Sequence, residues 1–154
     1  YMHDIGNSVN RNDHAHSGAL LAYSILKDLG MPLKDAITIS SAIGHHDEDT
    51  GAAVDVVSAA LILADKTDVR RNRVRNPIIA NFDTHDRVNY AVLSTKVKVN
   101  ADKKLIQMDL ELDDTMCSVM NYFEIFLQRM IMCQKAATVL GLKFKLIANG
   151  SKMC

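Results

Sequence analysis

Histidine and aspartate residues recur beside apolar segments in the first half of the chain. Five of the six histidines lie within the first 46 residues, beginning with the adjacent pair His3 and Asp4. An imidazole and a carboxylate that converge where the chain turns can bind a divalent metal ion together. Side chains of the same ligand types follow at His14, His45, His46 and Asp65. The sequence therefore predicts a metal site assembled from several segments.

Asp65 directly follows the apolar run of residues 59–64. An ionised carboxylate beside so apolar a segment is costly unless a cation compensates its charge. A helix end or a salt bridge would also account for Asp65, and His45 and His46 taken singly could be solvated loop residues. The metal interpretation is favoured because ligand types recur at the ends of successive apolar segments.

Mixed histidine and carboxylate ligands suit Fe, Mn, Zn, Co or Ni better than Ca. We therefore expect one or two divalent transition metals as the cofactor. Such a metal lowers the pKa of bound water towards about 7, and two metals can hold a nucleophile and a leaving group together. The chemistry expected of the site is hydrolysis of a phosphoester by metal-activated water.

Five cationic side chains lie within residues 66–75, directly after Asp65. Lys66 and Arg70 are the candidates for binding substrate phosphates. The alternative is that these cations simply end a helix, where positive charge is favourable. Of the remaining histidines, His16 points to a different face from His14 and is expected at the surface, and His85 is interpreted as part of a helix start.

Three predicted helices and one polar loop must position the ligands. Asn12 or Asp13 can begin a helix over residues 14–29, which Gly30 ends. Gly18 inside it costs roughly 1 kcal/mol relative to Ala, which predicts a close contact beside His14. A further helix is expected over residues 33–45, then a polar loop, then a helix over residues 52–69. The expected inward positions in these two helices are Ala36, Ile37, Ile39, Ile43, Val54, Val57, Leu61 and Ala64.

The second half of the chain has a different pattern. Asn76-Pro77 breaks the helical periodicity, and a short helix is expected from Asp83. Alternating residues then predict strands over 95–99 and 105–112, joined by a turn at residues 100–103. A long helix over residues 115–140, capped by Asp113 or Asp114 and ended by Gly141, precedes a last strand over 143–148. The fold class is therefore predicted to be α+β, a mostly helical bundle followed by a β-β-α-β unit.

Four short motifs lie within residues 1–75, in the order HDIGN, HAHSGA, AIGHHDE and LILADKTD. In this order and spacing they resemble the HD-domain metal-dependent phosphohydrolase superfamily, over about half of the chain. The resemblance implies that residues 1–76 form an HD-type helical metal-binding core. Residues 77–154 would then be a connecting helix and the C-terminal β-β-α-β unit.

The resemblance also implies roles for individual residues. His3 and Asp4 match the metal-bridging pair, which places Asp4 among the catalytic residues, and Asp65 matches the distal carboxylate ligand. The family's next two histidines are matched by His14 and His46, with His45 as the alternative if the loop register differs.

Two departures from the family pattern bear on the expected substrate. The family's first histidine lies on a helix before the His-Asp pair, and we expect that helix upstream of Tyr1. Asn7 stands where the cyclic-dinucleotide phosphodiesterase branch has lysine, which argues against that substrate. The match of His14 and His46 resembles branches that act on nucleotides or dinucleoside polyphosphates, so a nucleotide or similar small phosphorylated substrate is expected. The rival interpretation is a catalytically silent HD module that binds a nucleotide for regulation.

The composition limits which classes of function remain possible for the chain. The formal net charge is zero, with 18 basic and 18 acidic residues, so bulk nucleic-acid binding is not expected. No apolar run is long enough to span a membrane. Three cysteines without CxxC spacing are interpreted as reduced thiols in a cytoplasmic protein. Open strand edges in the second half would allow a homodimer.

Overall fold

The computed structural model describes residues 1–74, 78 and 81–154. Its helices are α1 (His14–Asp28), α2 (Leu33–Gly44), α3 (Val56–Lys66), α4 (Thr84–Ala91) and α5 (Val119–Val139), and its strands are β1 (Val92–Asn100), β2 (Leu105–Leu112), β3 (Lys143–Ala148) and β4 (Ser151–Lys152). Short 3₁₀ helices cover Ile5–Ser8 and Arg71–Arg73. The α+β class is confirmed, with helices first and the strands and α5 after them. The break predicted at Asn76-Pro77 lies outside the described residues.

Helix α1 packs tightly against the first residues of the chain through two glycines. A Cβ at Gly18 would lie 3.2 Å from the Gly6 nitrogen and 3.3 Å from the His3 carbonyl oxygen. The close contact predicted beside His14 is therefore confirmed. At the end of this helix Gly30 adopts φ +80°, a conformation that glycine tolerates and other residues rarely adopt.

Helix α3 begins later than the sequence pattern indicated. Asp55 accepts a hydrogen bond from the Ser58 backbone N–H, and the Ser58 hydroxyl is close to the Asp55 backbone N–H, which forms a capping box. Val54 and Val57 are 53% and 40% exposed and Ala64 is also exposed, so their prediction as core residues is wrong, as is that of Ile37 on α2. The buried face of α3 instead carries Ala59, Ile62 and Leu63.

The sheet has the strand order β1-β2-β3-β4. Strands β1 and β2 form the predicted antiparallel hairpin, and α5 connects β2 to β3, which are parallel. The short β4 was not predicted. The long helix starts at Ser118, which forms a capping box with Asn121, whereas Asp113 accepts hydrogen bonds from Thr115 instead.

One apolar core joins α3 to the C-terminal unit. Ala59 and Ile62 of α3 are fully buried in the same cluster as Tyr122 and Cys133 of α5 and Met108 of β2. Because α3 packs on α5, the C-terminal helix is held beside the segment that follows α2. Within the described part of the chain, no helix has the length and apolar character needed to cross a membrane.

Candidate metal centre

His3 and Asp4 stand immediately before the first 3₁₀ helix, and a close backbone contact holds them against α1. A Cβ at Gly6 would lie only 2.0 Å from the carbonyl oxygen of His14. Only glycine therefore fits at this position. The contact brings the His-Asp pair to the first turn of α1, where His14 lies.

One group of ligand atoms comes from Asp4, His14 and His46. Nδ1 of His14 lies 3.2 Å from the Arg11 carbonyl oxygen, and Nδ1 of His46 lies 2.6 Å from that of Ile43. Each Nδ1–H donates to its carbonyl in this arrangement, which leaves each Nε2 as an unprotonated lone pair. The two Nε2 atoms face each other at 3.3 Å, with Asp4 Oδ1 3.4 Å and 3.8 Å away. Lone pairs that converge in this way can be satisfied by a metal ion bound between them or by a proton on one of the two nitrogens.

A second group comes from His3, His46 and Asp65. Nε2 of His3 lies 3.4 Å from Asp65 Oδ1 and 3.6 Å from Asp4 Oδ2. This nitrogen is buried and makes no well-aligned hydrogen bond to any residue that the structure describes. A metal ion would satisfy it, because imidazole nitrogen and carboxylate oxygen are preferred ligands of divalent transition metals.

Asp4 connects the two groups. Its Oδ1 faces His14 and His46, whereas its Oδ2 faces His3, so the carboxylate can bridge two ions. Nε2 of His46 has one lone pair and can bind only one ion. With His46 assigned to the first ion, each of two ions would have three protein ligands among the described residues.

The charge states of two ligands suit metal binding. Burial is the main reason that the pKa of His46 lies below its usual value, so the imidazole is neutral near pH 7. Burial alone would raise the pKa of Asp65. The contact of Asp65 with His3 at 3.4 Å and the positive charge of Lys66 outweigh burial, so this pKa lies well below its usual value and the carboxylate is ionised.

Lys66 forms a buried ion-pair network beside the ligands. Its Nζ lies 2.8 Å from Asp65 Oδ2 and 2.5 Å from Glu48 Oε2, and the residue is only 4% exposed. On the other side of Glu48, a terminal nitrogen of Arg129 lies 3.2 Å from Oε1. Although burial opposes ionisation, hydrogen bonding from Lys66 and the charge of Arg129 lower the pKa of Glu48 to about 2.

The sequence did not identify Glu48 or Arg129 as functional residues. Glu48 was one of several acids in the polar loop after α2, with nothing to distinguish it. Arg129 carries a usable signal, since it is the single cation among the first sixteen residues of the apolar helix α5. A charged residue on such a helix faces a polar site more often than an apolar core.

The structure does not bring two predicted residues to the cluster. His45 is half-buried, and its Nδ1 lies 2.9 Å from the Ser41 carbonyl oxygen, away from both ligand groups. The α2 helix ends at Gly44, so of the two adjacent histidines only His46 turns towards the site. Arg70 is exposed and pairs with Asp68 at 2.5 Å, outside the cavity at the cluster.

Of the two histidines outside the predicted ligand set, one lies at the surface and the other lies at the cavity beside the cluster. His16 is exposed and contacts Asp13, as expected for a surface residue. His85 lies on α4, as predicted, but it also lines the cavity beside the cluster. The sequence separation of His85 from the other histidines was therefore misleading, because α4 folds back towards the site.

A cavity of about 430 Å³ opens over the ligands, between the helical half and α4 and α5. Its lining residues are Asp4, Arg11, His14, His46, Asp47, Glu48, Asp65, Lys66, Arg73, His85, Asn89, Phe126 and Arg129. An adjoining cavity of about 570 Å³ shares Arg11, His14 and His85 and is also lined by Ile125 and Gln128 of α5. Together they have room for a small organic phosphate.

No protein-family model matches the chain, and no solved structure matches it significantly. Among curated proteins, the chain is 28% identical over 122 residues to the uncharacterized protein MJ1020 of Methanocaldococcus jannaschii. The alignment covers 74% of this chain and 46% of that protein, so the chain spans about half the length of the relative. The name of MJ1020 gives it no function, so the functional interpretation of this chain depends on the chemistry of its own histidine and aspartate cluster.

Proposed function

We propose that this chain is a metal-dependent phosphohydrolase of the HD-superfamily type that acts on a nucleotide or similar small phosphoester. The main support is the convergence of Nε2 of His14, Nε2 of His46 and Oδ1 of Asp4, all within 3.8 Å of one another. Unprotonated nitrogens and a carboxylate oxygen at these distances repel each other unless a cation lies among them.

The residues of the site have different proposed roles. Asp4 bridges the two ligand groups, with His14 and His46 on one side and His3 and Asp65 on the other. When bound there, divalent transition metals lower the pKa of coordinated water towards about 7 and offset the charge of phosphoryl oxygens. Lys66 holds Asp65 in place and directs its positive charge at the cavity where a phosphate would lie.

A second candidate is a silent module that binds a nucleotide without hydrolysing it. It is favoured by Asn7, which occupies a position where one branch of the superfamily has a lysine. The Asn7 side chain donates to the Asp4 carbonyl oxygen and accepts from Arg11, so it supplies no acid for a leaving group. Binding of a nucleotide with no turnover under any metal would favour this candidate.

The deciding experiment combines elemental analysis with activity measurements on nucleotides and generic phosphodiesters. We expect one or two transition metals per chain. His46→Ala and Asp65→Ala should lower metal content and reduce kcat/KM on the order of a thousandfold or more, because they remove ligands. His16→Ala, at the surface, is the matched control. Metal content and activity at the wild-type level in both ligand variants would contradict the proposal.

The proposed setting is the cytoplasm, and the proposed assembly is a homodimer through β1. This strand is at one edge of the sheet, and its Val97 and Val99 are exposed. Exposed apolar strand edges favour pairing with another strand. Light scattering at high protein concentration should give the mass of a dimer, and a monomer would contradict this assembly.

A further inference from the structure

Arg129 reaches the metal-ligand cavity from α5, far along the chain from the ligands. Its guanidinium carbon lies 4.7 Å from the centre of the Phe126 ring, and a terminal nitrogen contacts Glu48. Stacking on a ring and pairing with a carboxylate hold the planar group in one orientation. The guanidinium is therefore positioned before any ligand arrives.

Most of the donors of Arg129 remain available. A guanidinium has five N–H donors, and the hydrogen bond to Glu48 uses one of them. Nε is buried and has no hydrogen-bond partner among the residues that the structure describes. Buried donors without partners are costly, and a bound anion is the kind of partner that a guanidinium binds best.

The other cations of the cavity are either paired with carboxylates or exposed to solvent. Lys66 already contacts two carboxylates, those of Asp65 and Glu48. Arg73 pairs with Asp68, and Arg11 is exposed at the rim. Arg129 is the half-buried cation with the most free donors in this part of the described structure.

The position of Arg129 relative to the ligands indicates which part of a substrate it would meet. Asp65, Lys66, Glu48 and Arg129 form a continuous series of ion pairs, in which the guanidinium contacts Glu48 and forms no ion pair with the candidate metal ligands of the described residues. A group bound by Arg129 would therefore lie beside the phosphoryl group at the ligands. The cavity is lined by four acids and four Lys or Arg residues, so bound divalent metals would make it net positive.

We infer that Arg129 binds a second anionic group of the substrate, next to the phosphoryl group held at the metal ligands. The substrate class is then a compound with two neighbouring phosphate groups, such as a nucleoside diphosphate or a longer polyphosphate ester. This inference rests on the proposed function, because it requires a phosphoryl group at the metal ligands. It makes Arg129 a specificity-determining residue supplied by the C-terminal unit.

The test uses two probes without a hydrolysable ester, methylphosphonate and methylenediphosphonate, which differ by one phosphonate group. Their affinities are measured by calorimetry at saturating Mn²⁺ for the wild type, Arg129→Gln and Arg129→Lys. Lys135→Gln removes an exposed cation from the same helix and is the matched control. Metal content and circular dichroism are recorded for each variant.

Arg129→Gln should weaken diphosphonate binding roughly ten- to a hundredfold, because charge-assisted hydrogen bonds are lost. Binding of methylphosphonate should change less than about threefold, since that probe stays at the metal ligands. Arg129→Lys should be intermediate, because an ammonium keeps the charge without the planar fork. If Arg129→Gln does not fold, the affinities of Arg129→Lys for the two probes test the inference. Lys135→Gln should match the wild type with both probes.

Two results would overturn the inference while leaving the proposed function intact. One is a diphosphonate affinity that is unchanged in both Arg129 variants. The other is an equal loss of both probes with wild-type metal content, which would mean that Arg129 acts on the cavity as a whole. A wild-type protein that binds neither Mn²⁺ nor either probe would overturn the proposed function and this inference with it.

Discussion

Helices α1 to α3 and the C-terminal unit bury different kinds of side chain. The most buried positions around the site include His14, His46 and Lys66, which are 4%, 1% and 4% exposed. In the C-terminal unit the fully buried positions are apolar or aromatic, as at Met108, Tyr122 and Leu146. Burying polar groups costs free energy, whereas burying apolar groups provides most of the stability of a fold.

This difference indicates that the C-terminal unit mainly stabilises the fold, whereas helices α1 to α3 carry the polar site. The apolar core of sheet and α5 stabilises the fold, and α3 extends this core with Ala59 and Ile62. At its C-terminal end the same helix carries Asp65 and Lys66 into the polar site. Helix α3 therefore connects the polar cluster directly to the apolar core, and Arg129 of α5 also reaches the polar site through its ion pair with Glu48.

The largest effect on the polar region is expected from Gly6→Ala. A Cβ there would lie 2.0 Å from the His14 carbonyl oxygen and 2.6 Å from the Gly18 nitrogen, so the first residues must move away from α1. His3 and Asp4 would then separate from His14 and His46, and Mn²⁺ affinity should fall on the order of a hundredfold. Calorimetric titration of the variant with Mn²⁺ measures this loss.

The matched control for this variant is Gly44→Ala, in the same half of the molecule. A Cβ at Gly44 would meet only the Ala19 side chain, at an ordinary contact distance of 3.4 Å. Its Mn²⁺ affinity should stay near that of the wild type. If Gly6→Ala also kept wild-type affinity, the backbone contact would not be what positions the His-Asp pair.

Ile62→Ala should affect the apolar region most. Ile62 is fully buried where α3 meets α5, and removing its methyl and methylene groups leaves a cavity. The free energy of unfolding should fall by about 3 kcal/mol, as measured by urea denaturation. Ile37→Ala, at a position 52% exposed, should change stability only slightly. Equal losses in both variants would show that the core does not end where the structure places it.

Glu48→Gln should produce a smaller effect that depends on pH. The pKa of Glu48 is lowered to about 2 in the folded protein, below its usual value of 4.5. Its contribution to stability is therefore complete above pH 4.5 and is lost as the pH falls towards 2. The variant should lose about 2 kcal/mol of unfolding free energy at pH 7, a figure discounted for the partial exposure of Glu48, and less at pH 3.

Denaturation curves of the Glu48 variant at both pH values provide this measurement. Asp49→Asn changes the next acid of the same loop, which is exposed, and should lose little at either pH. A loss in Glu48→Gln that is the same at pH 7 and pH 3 would mean that the carboxylate charge does not hold Lys66 and Arg129.

Local features of the sequence predicted much of the fold. The end of α1 at Gly30, the hairpin of β1 and β2 and the end of α5 at Gly141 depend on neighbouring residues, and all three were predicted correctly. The start of α3 was wrong because the capping box of Asp55 and Ser58 outweighed the apolar periodicity that continues upstream. The predicted core position Val57 lies inside α3 but on its exposed face, because the apolar pattern alone did not distinguish the inward face from the outward one.

The sequence by itself determined the ligand types of the candidate site, because each segment carries its histidine or aspartate beside a recognisable helix end. It also identified the close contact at Gly18, since an internal glycine in a helix needs a reason. Tertiary structure alone decided that His85 and Arg129 line the cavity of the site, whereas the end of α2 at Gly44 decided that His46 rather than His45 faces the cluster. The positions of His85 and Arg129 depend on how α5 packs against α3 and how α4 packs against α5. Contacts between segments distant in sequence leave little trace in local patterns.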